Sequence, residues 1–339
     1  MLLSIIIPYY NADAWIGTML ESLLDQDLAP DDYEIIVVDD ESPQEPVVLK
    51  DYASRYPQVA YHRVAHGGQA MARNYGLSVA KGDWIYFCDS DDLVQPQVFG
   101  GIIRAAQERD LEMVLAHIVK LNENDPLPSA PRRYFSKMSA TMTGLEYLVK
   151  PPDIFSWGVW AYLTLRSVYQ DYGLVFEDVN YVEDRLFKFA LLQKVARCAT
   201  IDVDLYYYIQ HETSVFHAGR KRNNPQFIDA IFRYVDQLTE LAGKPETTPQ
   251  LAAALNRRRE FVAFLLLTNA FLYSPIEVNK ALIDRLASMG LYPVRIFYDK
   301  DSRRNRIIKR LMNRRGLWLF LYRVFHLLPD SYIQKHYNA

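Results

Sequence analysis

The run Trp84-Ile85-Tyr86-Phe87-Cys88 ends on Asp89-Ser90-Asp91-Asp92, which places three carboxylates within four residues. An apolar stretch of that length, rich in aromatic and β-branched side chains and introduced by the turn signal Lys81-Gly82-Asp83, reads as a fully buried strand. Carboxylates at its end then lie at the carboxyl edge of a sheet, where open α/β folds place their ligands. Side chains alternate along an extended chain, so Asp89 and Asp91 can face one way while Ser90 faces the other. Two hard oxygen ligands on one side suit Mg2+ or Mn2+, ions that also bind phosphate oxygens. The plainer reading makes the same residues a strand-end turn, with Asp91 or Asp92 capping a helix that begins near Pro96.

The pattern repeats upstream. Ser4 to Asn11 reads as a buried strand running out through Pro8, Tyr9 and Tyr10 into a loop. Trp15, Ile16, Met19, Leu20, Leu23 and Leu24 follow at helical spacing, with Asn11 or Asp13 as the cap. Glu34 to Val38 is a second buried strand, ending on Asp39-Asp40-Glu41-Ser42, and strand, helix and strand make a right-handed parallel unit. After a helix from about Val47 to Tyr56 and a strand from Val59 to Val64, His66-Gly67-Gly68-Gln69 opens a helix carrying Arg73 and Asn74. Backbone N–H groups at such a start can face an anion. The glycine spacing and the missing Lys-Ser/Thr pair exclude a Walker or dinucleotide motif. Taken singly, Arg73 and Asn74 are ordinary solvated helix residues.

Downstream, a helix containing Val98 to Ala106 and a strand from Met113 to Val119 extend this into an α/β, doubly wound, mostly parallel sheet. Residues 122–140, rich in proline, serine and polar residues, read as a mobile connection or excursion. Trp157 and Trp160 flank Gly158 and serve either packing or a sugar platform. Glu183-Asp184 starts a helix whose dipole alone favours acidic residues. Leu205 to Ile209 is a late strand, and from Pro225 helical spacing dominates. The expected division is an α/β domain over 1–220 and a helical region over 221–339.

Two cysteines among 339 residues, Cys88 and Cys198, fit neither a disulfide framework nor a metal spacing. Met1 leads directly into a strand pattern, and no apolar segment approaches the ~18 residues that span a bilayer. A cytoplasmic location is therefore expected. Residues 1–50 hold eleven Asp or Glu against Lys50, whereas residues 301–339 hold nine Lys or Arg against Asp301 and Asp330. The acidic half argues against nucleic acid as a partner. The basic tail interleaves eight Lys or Arg between Arg303 and Arg323 with Trp318, Phe320 and Leu321, among other apolar residues. Such a helix lies on an anionic membrane surface or packs its apolar side on the preceding helices.

Ser4 to Asn11, Ile36 to Ser42, Ala72-Arg73-Asn74 with Gly76, Lys81-Gly82-Asp83 and Asp89-Ser90-Asp91-Asp92 together resemble, in order, the family 2 glycosyltransferases of the GT-A fold. The resemblance covers roughly the first 120 residues and resumes at Glu183-Asp184. It implies that Pro8, Tyr9 and Tyr10 form the first nucleotide-contacting loop and that Asp40 reads the base, typically uracil. Arg73, Asn74 and Ser90 fall among the nucleotide contacts. Asp89 and Asp91 match the DxD motif that holds Mn2+ or Mg2+ against the diphosphate, with His217 either a further metal or phosphate contact or an ordinary surface histidine after a strand. Asp184 matches the catalytic base beside Glu183, and Trp157 and Trp160 lie toward the acceptor. Where relatives often carry Asn-Lys after that tryptophan, this chain reads Ala161-Tyr162, which bears on the acceptor class and leaves the donor chemistry intact.

The implied activity is inverting transfer of a sugar from a nucleotide diphosphate sugar, UDP-linked by expectation, to a saccharide or lipid-linked hydroxyl in surface polysaccharide or glycolipid synthesis. A nucleotidyltransferase has a comparable sheet and aspartate pair but needs a basic, glycine-rich triphosphate loop, which is missing near the amino terminus. A non-catalytic nucleotide-sugar-binding relative is the third reading.

Overall fold

Strand β1 (Leu3–Tyr9) lies between β2 (Tyr33–Asp40) and β4 (Trp84–Phe87), with β3 (Val59–Val64) beyond β2, and all four run parallel. This is a computed structural model, and it describes residues 1–150, 158–179, 181–211, 225–295 and 303–327. Trp84 to Phe87 are at most 2% exposed, as a strand covered on both faces requires. Register sets Tyr9 opposite Asp39 and Ile6 opposite Phe87, so the loops after β1, β2 and β4 leave the sheet at one edge. The helices α1 (Asp13–Leu24), α2 (Val47–Arg55) and α3 (Gly68–Val79) connect these strands in turn, and α4 (Phe99–Gln107) follows β4. Gly76 lets α3 approach β1, because a Cβ there would sit 2.4 Å from Ile6 Cγ2.

The sheet continues through β8 (Tyr162–Leu165), β6 (Met113–Asn122) and β9 (Cys198–Gln210) to the two-residue β5 (Leu93–Val94). Strand β8 runs antiparallel to β4, so its beginning, with Trp160 just before it, stands beside the end of β4. Strand β9 is parallel to β6 and antiparallel to β5, so its carboxyl end comes back to the Asp91–Asp92 loop.

Three local expectations change. Residues 122–140 contain strand β7 (Arg133–Met138), which pairs with β9. Helix α1 begins at Asp13 without a side-chain cap, and the Asp13 carboxylate instead accepts from Tyr9 Oη (2.9 Å) and the Val47 N–H (2.8 Å), tying α1 to the start of α2. Helix α4 begins at Phe99 rather than near Pro96. Its first N–H groups donate to Gln26 and Asp27 from another segment, so the acidic residues after β4 do not cap it.

Helices α5 (Gly144–Val149), α6 (Arg166–Asp171) and α7 (Glu183–Leu192) complete a first compact unit, Met1–Ser214. The second unit, Val215–Ala339, contains α8 (Pro225–Gly243), α9 (Pro249–Tyr273), α10 (Ile276–Ser288), α11 (Arg303–Met312) and α12 (Arg315–Phe325). Among the described residues no helix is long and apolar enough to cross a membrane.

Candidate active site

At the carboxyl edge a single guanidinium, Arg73 of α3, is 1% exposed and sits among three carboxylates. Its Nη2 donates to Asp89 Oδ1 at 2.8 Å and its Nη1 to Asp184 Oδ1 at 2.8 Å, with Glu183 Oε1 3.5 Å away. The Phe176 ring lies 5.5 Å from the guanidinium carbon. One cation cannot compensate three partly buried anions. Burial therefore pushes the Asp184 carboxyl up to about 7 despite Arg73, with Glu183 and Asp89 adding to the rise. Glu183 moves upward for the same reason. The Asp184 side chain keeps 23% of its surface open.

On the other side of Asp89, burial and the Asp89 charge push the Asp91 carboxyl up to about 6. A cation shared by Asp89 and Asp91 would relieve both causes, and the donors are the hard oxygens that Mn2+ or Mg2+ prefer. Among the described residues no group of three or more His, Cys, Asp or Glu is set to hold a metal. Two carboxylates completed by substrate phosphates are nonetheless a usual arrangement for such ions. Asp92 is 3% exposed and has a different task, accepting from Tyr206 Oη (2.6 Å) and the Ile209 N–H (2.6 Å). Behind the loop, Trp160 stacks on Tyr206 at 5.0 Å and on Tyr208 at 5.8 Å, while its carbonyl accepts from Tyr86 Oη. Trp160 is thus mostly buried packing, and Gly158 makes room for it, since a Cβ there would lie 2.2 Å from its ring.

The third part of the edge is built on β2. Asp40 is 4% exposed, and its two oxygens accept from the N–H groups of Gly67 (2.7 Å) and Gly68 (2.9 Å), with His66 Nδ1 2.9 Å away. The anion at the start of α3 is therefore the chain's own Asp40. His66 is held above its ordinary range by the Asp40 carbonyl and carboxylate, and its ring lies 5.4 Å from that of Tyr10. Tyr10 is 54% exposed and available to a ligand, whereas Pro8 and Tyr9 are buried.

The edge thus brings together Tyr10, Asp40, Arg73, Asp89, Ser90, Asp91, Glu183 and Asp184. Asn74 is directed elsewhere: its amide donates to the Phe176 carbonyl (2.9 Å) and accepts from the Phe176 N–H (2.8 Å). Trp157 and His217 lie outside the described residues. The sequence reading missed Tyr206 and His211. His211, 5% exposed, hydrogen-bonds the Asp91 carbonyl through Nε2 at 3.0 Å and packs on Trp15. The signal for both was the position of the tyrosine run on a strand ending at the same edge.

A doubly wound sheet with an acidic carboxyl edge and three antiparallel additions is the GT-A type of glycosyltransferase fold. Across the whole chain it superposes on Staphylococcus aureus TarS 1–349 in complex with UDP-GlcNAc, with a TM-score of 0.69 at 19% identity over 93% of that structure. It also superposes on the mannosyltransferase PcManGT from Pyrobaculum calidifontis in complex with GDP-Man and Mn2+, with a TM-score of 0.51 at 18% identity, covering 97% of this chain and 87% of that one. Residues 4–172 match glycosyl transferase family 2, and the chain belongs to that family. It is 31% identical over 217 residues, 63% of its length, to the uncharacterized glycosyltransferase EpsJ of Bacillus subtilis. It is 25% identical over 215 residues, 61% of its length, to the poly(ribitol-phosphate) beta-N-acetylglucosaminyltransferase TarS of S. aureus. The matched stretch spans 62% of EpsJ and 35% of TarS, less than two thirds of either.

Proposed function

We propose that the protein is an inverting, metal-dependent glycosyltransferase that moves a sugar from a UDP-linked donor to a hydroxyl of a surface polysaccharide or glycolipid. The observation that carries this reading is the adjacency of Asp184 and Asp89, both held at 2.8 Å by Arg73, with a partly exposed carboxylate that can accept a proton beside an aspartate pair suited to a cation. The acceptor oxygen attacks the anomeric carbon from the face opposite the diphosphate, and its proton passes to Asp184. The bond from that carbon to the diphosphate oxygen breaks, the electron pair leaves with the nucleoside diphosphate, and the configuration inverts. Asp89 and Asp91 would hold Mn2+ or Mg2+, which neutralises charge on the departing diphosphate. Asp40, with Tyr10 and His66 beside it, receives the base. Support comes from the UDP-GlcNAc and the GDP-Man with Mn2+ in the two solved structures, and from the poly(ribitol-phosphate) acceptor in the TarS name.

A panel of nucleotide sugars incubated with purified protein, with and without Mn2+, tests the reading. Metal-dependent release of UDP with the sugar transferred or hydrolysed is the expected result. Release of pyrophosphate would mark a nucleotidyltransferase, and tight binding without turnover a non-catalytic relative.

We also place the protein at the cytoplasmic face of an anionic membrane, where a lipid-linked acceptor is found. In the second unit Trp318 and Tyr322 of α12 are buried against Phe271, whereas Phe320, Val324 and Leu327 are 61%, 46% and 84% exposed. The packing reading of the tail holds for the first pair, and the second set is the candidate membrane face.

A further inference from the structure

We propose that the Arg73-Asn74 pair is a clamp that positions the catalytic base, rather than a contact to the nucleotide. The proposal rests on Asp184 being the base. Two adjacent residues of α3 reach the segment that carries Asp184 at two separate points. Asn74 closes a two-hydrogen-bond ring on the Phe176 backbone (2.9 and 2.8 Å), a partner 102 positions away. Arg73 holds the Asp184 carboxylate at 2.8 Å, 111 positions away. Between them the Phe176 ring lies under the Arg73 guanidinium (5.5 Å) and against Phe187 of α7 (3.7 Å). The segment is thereby fastened to α3 at Phe176, where it approaches α7, and again at Asp184, in the first turn of that helix.

The other end of the clamp is equally fixed. Gly76 seats α3 on β1. Asp40 accepts from the N–H groups at the start of α3, and Arg73 Nη2 holds Asp89 at the end of β4. Helix α3 is thus a short rod touching the base-binding end, the metal-side carboxylate and the catalytic base. Asn74 has both ends of its amide engaged on backbone and contributes through distance and orientation alone. That is the contribution expected to matter most in a transfer reaction, where a misplacement of ~1 Å can cost about 10²-fold.

The test uses full-length Asn74→Ala and Arg73→Lys. Three measurements are made on each: donor affinity by calorimetry with Mn2+-UDP, steady-state transfer, and hydrogen exchange of peptides covering Phe176 to Asp184. In Asn74→Ala we expect transfer kcat to fall about tenfold or more while donor affinity stays within about twofold, because only alignment is lost. Exchange should quicken over Phe176 to Asp184. Arg73→Lys keeps the charge but cannot bridge both carboxylates, and it should fall between wild type and Arg73→Gln in transfer. Arg73→Lys also keeps the question open to test if Arg73→Gln fails to fold. Donor affinity falling tenfold in Asn74→Ala with exchange unchanged would overturn the clamp and make Asn74 a nucleotide contact. Wild-type transfer in both Asn74→Ala and Arg73→Lys would overturn it as well. If Asp184→Asn transfers normally, the base assignment fails instead, and the two failures remain distinguishable.

Discussion

The hydroxyl of Tyr206 donates to Asp92 at 2.6 Å while accepting from the Asp89 N–H at 3.1 Å, so a tyrosine of β9 pins the loop carrying Asp89 and Asp91. Asp92 is thereby separated in role from Asp89 and Asp91 on the same short loop. Tyr206→Phe leaves the buried Asp92 short of a partner, and an unsatisfied buried acceptor costs about 1–3 kcal/mol. Urea unfolding should show a loss of that size, with the stack on Trp160 intact. An unchanged midpoint would mean that the Ile209 N–H alone satisfies Asp92.

Asp91→Ala removes a partly buried carboxylate whose charge is already disfavoured, so metal-dependent donor binding should vanish while the fold persists. Asp89→Ala should lose donor binding too, and should also disturb Asp184 by freeing one arm of Arg73. Calorimetry with Mn2+-UDP and circular dichroism on both variants check this. Binding unchanged in both would remove the metal assignment.

The pH dependence follows from Asp184, which titrates at about 7. A base acts when deprotonated, so kcat/KM for transfer should rise through about pH 7 and level off above it. Stability has the opposite slope. An unfolded aspartate loses its proton near about 4, and the folded protein keeps it until about 7, so this group's contribution is full below about 4 and is lost as pH rises through 7. Asp184→Asn should therefore raise the melting temperature more at pH 8 than at pH 5, while cutting transfer by roughly 10²-fold. A pH-independent change in melting temperature would contradict the burial cause.

Asp40 holds the start of α3 and, in the proposed reading, also receives the base, so its removal should show both effects. Asp40→Ala takes the acceptor away from the Gly67 and Gly68 N–H groups, costing about 1 kcal/mol as a lost helix cap. It should also weaken binding of every nucleotide sugar without altering metal affinity in the absence of nucleotide. Uridine nucleotides should bind ahead of cytidine and adenosine nucleotides in the wild type, because a buried carboxylate accepting from the base imide loses that partner with bases that carry no ring N–H there. A clear preference for CDP or ADP would move base recognition away from Asp40.

The first four parallel strands and their acidic ends were readable because each is a continuous apolar run closed by carboxylates, a signal carried within a few residues. Strands β5, β7 and β8 were not. Two to six residues long, they owe their existence to pairing with β9, β4 and β6, which are distant in sequence. Arg73 was legible as a site residue only through the family resemblance. On a helix pattern one arginine reads as solvated, and its burial follows from carboxylates 16 and 111 positions away. Asp92 was legible as an acid but not as an anchor, since Tyr206, its partner, lies 114 residues downstream.

The membrane face is the last expectation and depends on which side of α12 is turned outward. Trp318, Tyr322 and Phe325 meet Phe271 of α9, and the Tyr322 hydroxyl donates to the Ser274 carbonyl at 2.8 Å, so that side is committed to the second unit. Phe320, Val324 and Leu327 recur at i, i+4 and i+7, one continuous stripe on the exposed side, with Arg323 beside it. Arg306, Arg310 and Arg314 are exposed on and just after α11. Apolar side chains flanked by arginines suit an anionic bilayer surface, where each basic residue contributes about 1 kcal/mol. Full-length protein should float with vesicles containing anionic lipid at low salt and remain behind with neutral vesicles. Phe320→Ser with Val324→Ser should abolish flotation while leaving donor hydrolysis in solution unchanged. Arg310→Glu with Arg314→Glu should weaken flotation and reduce its salt dependence. Flotation by the double serine variant equal to wild type would remove the stripe from the membrane contact.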